Sequence, residues 1–99
     1  MIKQLDETLK IFEKINKSDF VIKKLPKSCF KEQYKNLNDL SDIFEEYSAL
    51  LLSIKKDSLT KKSAIEEILV KIHLKLSGLI WHIEEIDELL KNLLKKIPE

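Results

Sequence analysis

The chain contains one glycine and two prolines in 99 residues. Sheets joined by tight turns draw on both residue types. So little punctuation excludes a strand-rich fold and leaves helix as the state of nearly every segment. There is one cysteine, Cys29, so no internal disulfide can form, and the stretch from Met1 to Glu7 lacks the apolar core of a secretory signal. The expected compartment is therefore cytoplasmic. The longest uninterrupted apolar run is Ala49-Leu50-Leu51-Leu52, far below the roughly 18 residues of a spanning helix, and no membrane segment is expected. Arginine is absent. All 18 basic residues are lysine, set against 17 acidic ones, which leaves no global field to draw nucleic acid and no guanidinium to grip phosphate or a base edge. A lone glycine also excludes the glycine-rich loops that cradle nucleotide phosphates.

What is present is helical periodicity. Positions 65, 69, 72, 76, 79, 83, 86, 90, 93 and 97 step by four and three, and all ten are Ile or Leu. This reads as one long, coiled-coil-like helix over 64–97, entered through a capping box of Ser63 and Glu66 and stopped by Pro98. A second series at 30, 33, 37, 40, 44, 47, 51 and 54 is apolar except for Gln33. It predicts a helix over 29–56 with Ser28 as N-cap, and Asn36, Asn38, Asp39, Ser41 and Asp42 leave a kink near 36–42 as an alternative. Ile2, Leu5, Leu9 and Phe12, widened by Ile11 and Ile15, predict a first helix over 2–17.

These elements assemble on paper as one all-α domain over 1–99, an up-down-up three-helix bundle with a long C-terminal helix. The short connection from Asp57 to Ser63 makes the second and third helices antiparallel neighbours, pairing Phe30, Phe44 and Leu51 with Ile86, Ile72 and Ile65. At 1.5 Å per residue the third helix is roughly 51 Å long and the second about 42 Å, so Leu90, Leu93 and Ile97 overhang. The apolar connecting segment at 18–28, with Phe20, Val21, Ile22 and Leu25, is expected to cover them, as a short extra helix or otherwise.

Val70, Leu74 and Trp81 stand outside the main stripe of the third helix, with Ser77 completing their spacing. A helix apolar on two faces is buried on two faces. One face could pack within the monomer; the sharper reading makes Val70, Leu74, Ser77, Gly78 and Trp81 a partner interface, with the small residues allowing close approach, Gly78 packing tightly without a kink, and Trp81 as anchor. The helix is expected to run straight through Gly78, since Leu76, Leu79 and Ile83 continue the heptad.

The chain offers little for catalysis. His73 and His82 lie nine residues apart and half a turn out of phase, so they cannot share a metal, and no Glu-x-x-His occurs. His73 and Ser77 lack an orienting acid and free backbone donors. The acids at 84, 85, 87 and 88 and at 39, 42, 45 and 46 suit solvated helix faces. No catalytic residue, metal or cofactor is assigned. Lys55, Lys56, Lys61 and Lys62 form the densest positive patch, a possible anion-binding tip, yet no aromatic lies among them to stack a base, and helix-end electrostatics suffice to explain them and are the favoured account. The reading is a non-enzymatic helical module for protein–protein interaction, an adaptor or small assembly subunit, self-associating through its third helix as a homo-oligomer. Alternatives are an inhibitor or immunity-type protein with one target, and a nucleic-acid accessory protein using the lysine tip, the latter disfavoured by composition.

Overall fold

The computed structural model describes residues 2–56 and 59–98, and no strand occurs among them. Three helices form: α1 Ile2–Lys17, α2 Lys27–Ser53 and α3 Lys62–Lys96. The bundle is up-down-up. Asn36 meets His82 and Glu46 meets Lys75, so residue numbers fall along α3 as they rise along α2. Glu13 reaches Tyr34, while Asn16 and Lys17 share a cleft with Lys27 and Lys31, which sets α1 antiparallel to α2.

Two expected caps do not form. α2 begins at Lys27 behind Pro26, whose fixed φ of −62° with extended ψ makes it the N-cap without a side-chain hydrogen bond. Ser28 thus lies inside the helix. α3 begins at Lys62, because the Lys61 carbonyl accepts the Ile65 N–H at 3.1 Å and starts the first turn two residues before Ser63 could cap it. The box of Ser63 and Glu66 is replaced by a 3.8 Å pairing of Lys62 with Glu66. α2 runs unbroken through 36–42, and α3 runs unbroken through Gly78.

The core is built from Leu9 and Phe12 of α1, Phe30, Leu37 and Leu40 of α2, and Leu79, Ile86, Leu89 and Leu93 of α3. Only three of the ten anticipated α3 positions are in it. Leu79, Ile86 and Leu93 are buried and Ile72 is half-buried, but the alternate positions 69, 76, 83 and 90 are exposed, and the residues one place earlier, 68, 75, 82 and 89, turn inward instead. The 4-3 spacing fits either choice, and the neighbours decide. Likewise Phe44 and Leu51 of α2 stay exposed beyond the reach of α1.

Residues 18–26 form turns and bends, not an extra helix. The Lys24 ammonium donates to the carbonyls of Asn16, Ser18 and Val21 at 2.9–3.0 Å, so it gathers the loose C-terminal end of α1 and holds the connection bent. Asn16 exchanges two hydrogen bonds with the Leu25 backbone, at 3.1 and 2.8 Å. Val21 is buried, yet Phe20 and Ile22 remain 74% and 80% exposed, and Leu90 and Ile97 are still more than a third bare. The segment therefore covers less of the overhang than its composition suggests.

The molecule is a rod of 60 × 22 × 18 Å with a radius of gyration of 18.4 Å. A compact chain of this length would have about 13 Å.

Candidate protein-interaction surface

The rod shape follows from helix lengths. α1 has 16 residues and α3 has 35, or about 24 Å beside about 52 Å. α1 leans chiefly on α2 and touches α3 less, so the half of the α2/α3 hairpin nearest its tip has no third layer. There Leu51 and Ile54 of the α2 end face Ile65, Leu69 and Ile72 of α3 around an open apolar groove of about 580 Å³, with Leu59 at its end. Ile72, Leu79, Ile86 and Leu93 are spaced by seven and share one helix face. The last three are buried beside α1; the first lines the groove, which thus continues the face that α1 covers.

A second bare face lies opposite. Val70, Leu74 and Trp81 are all more than half exposed, Trp81 by 57%, with Ser77 exposed between them. Gly78 does not join them. It is half-buried and turned toward α2, where a Cβ would sit 3.5 Å from Ile43 Cδ1, an ordinary contact. The expectation that tight packing requires a glycine at 78 is corrected on that geometry, and Gly78 lies apart from the other four residues assigned to a partner surface. Sequence reading also missed the groove, because it assigned the whole 4-3 stripe to the core; the signal available was the sixteen-residue length of α1.

Between the two faces sits a polar knot. Asn36 Nδ2 donates to the His82 carbonyl at 2.8 Å and to Gln33 Oε1 at 3.3 Å, and Asn36 Oδ1 accepts from His82 Nδ1. All three residues are buried, and no buried side-chain polar atom among the described residues lacks a partner. The Trp81 ring meets the His82 ring edge-on, centroids 4.8 Å apart at 81°. The hydrogen bonds fix the imidazole, and the indole points outward beside it.

Other chemistry is dispersed. His73 is exposed, and no grouping of His, Cys, Asp and Glu suited to a metal occurs among the described residues. Lys55, Lys56, Lys61 and Lys62 are all exposed around the tip. Tyr34 carries the largest perturbation: burial first, then its hydrogen bond to Glu13 and the charges of Glu13, Asp6 and Glu7, hold the phenol well above its ordinary value. No helix among the described residues is long and apolar enough to cross a membrane. No family model, curated protein or solved structure matches the chain.

Proposed function

We propose that this chain is a non-catalytic interaction module, an adaptor or small assembly subunit, that works by laying the bare apolar faces of α3 against protein. The observation that carries the reading is surface area. The chain exposes 7640 Å², whereas a compact monomer of this mass exposes about 5,800 Å². The surplus is about 1,800 Å², and large apolar side chains stand open along α3, among them Leu69, Leu74, Leu76, Ile80, Trp81 and Ile83. Contiguous patches of that kind on a folded chain mark interaction sites.

The lysine tip supports nucleic-acid binding poorly, since no aromatic side chain stands among its four lysines and Lys62 already faces Glu66. Site-specific photocrosslinking tests the reading. A photoreactive residue in place of Leu69 or Trp81 should yield protein adducts, whether to the same chain or to another, while the same probe at exposed Lys3 of α1 should yield few. A chain of unchanged helicity that forms no protein adduct from either α3 position would remove the proposal.

A further inference from the structure

We infer that the groove at the hairpin tip is covered by the same groove of a second copy of this chain, the two hairpins lying antiparallel about a two-fold axis near Leu69. The inference rests on the interaction reading above and names its partner.

Three observations lead there. The first is area: a stable interface takes about 800 Å² from each partner, and the surplus over a compact monomer is about twice that. The second is length. α3 outruns α1 by about 28 Å shared between its two ends, and the bare tip half of each hairpin, α3 residues 62–75, is about 21 Å long by the same rise. Two such halves face to face make a four-helix bundle with a continuous apolar centre, and because each contributes the same patch the contact closes on itself as a dimer.

The third is charge. Residues 39–53 of α2 carry Asp39, Asp42, Glu45 and Glu46 and no basic residue, while 55–62 carry four lysines against Asp57, a net of +3. The hairpin is thus acidic at its waist and basic at its tip. Ile43 lies beside Gly78 and Glu46 pairs with Lys75 at 2.6 Å, which puts the acidic stretch level with residues 75–78 of α3. With Leu69 on the axis, residues 61 and 62 of one copy come level with 77 and 76 of the other. The acids themselves lie toward the Trp81 side, Asp39 sharing a cleft with Trp81 and His82, so the charge sets orientation by keeping the two positive tips at opposite ends of the dimer. A parallel dimer would stack tip on tip, positive on positive. The face of Trp81 lies on the other side of α3 and stays free.

Sedimentation equilibrium of the full chain should show a dimer in the micromolar range. Leu69 is already 59% exposed in the single chain, so Leu69→Lys should keep the helical signal and weaken the dimer roughly 30-fold or more, whereas Trp81→Lys should leave it intact. Orientation is read without touching the groove: in a Cys29→Ser background, spin labels at Lys62 should lie about 20–25 Å apart in the antiparallel dimer, against about 10 Å or less for a parallel one. A strict monomer, a dimer indifferent to Leu69→Lys, or closely spaced labels overturns the inference. A monomer whose Leu69 photoprobe tags a different protein overturns the self-pairing and leaves the interaction reading standing; a monomer that tags nothing from either α3 position sinks both.

Discussion

Asn36 sits mid-helix, where its propensity is poor, and its position is explained by what its amide reaches on α3. Replacing it with alanine removes three hydrogen-bonding contacts at once and leaves the buried His82 ring without a partner. Asn36→Ala should cost about 1–3 kcal/mol, read as a lower urea midpoint at an unchanged slope. The residue was legible as an irregularity, since a polar side chain interrupts a helix of good pattern; its partner was not, because a contact across 46 positions depends on how two helices are rotated against each other. Tyr34 supplies a pH signature. Its folded-state pKa is raised, chiefly by burial, so the native state keeps the phenolic proton longer than the unfolded chain does. That contribution is complete below the ordinary tyrosine value of 10.0 and is lost as pH climbs beyond it. Stability should therefore fall on the alkaline side, and Tyr34→Phe should flatten the fall from about pH 10 upward in denaturation series.

At the level of the element, Gly78 gives the cleanest test. A methyl there meets Ile43 at ordinary contact distance, while glycine inside a helix costs about 1 kcal/mol against alanine. Gly78→Ala should raise stability by about 0.5–1 kcal/mol, and thermal melts will show it as a higher midpoint. A loss instead would mean that Ile43 cannot give way. Helix identity and number were readable because each segment carries three or more turns of apolar spacing. The ends were not. Serine looked like the natural first residue at 28 and 63, but proline geometry at 26 and an extended Lys61 set the starts earlier. The connection defeated the reading for a related reason: Phe20 and Ile22 suggested burial, while the decisive group was Lys24, whose ammonium reaches three carbonyls that no pattern of apolar residues reveals.

For the molecule as a whole, the mismatch between a short α1 and a long α3 could be read from the sequence, and so could the lack of full cover along α3 within one chain. The face that needs it could not, since spacing by four and three leaves two adjacent stripes equally plausible and only the placement of α1 and α2 chooses between them. If the cover is a second copy, folding and association are linked, and the melting temperature should rise with protein concentration. Melts across a hundredfold dilution check this; a midpoint that does not move would signal a chain whose folding owes nothing to a partner.

The buried knot of Asn36, Gln33 and His82 acts as a ratchet stop between the two long helices. Sliding α2 along α3 by one heptad would still bring Ile and Leu against apolar neighbours, but it would strand three polar groups in hydrocarbon. Slippage is penalised at one point along an otherwise permissive rail. Whatever docks on the outside of this hairpin consequently meets a surface with a single phase, and can be matched to it ridge for groove.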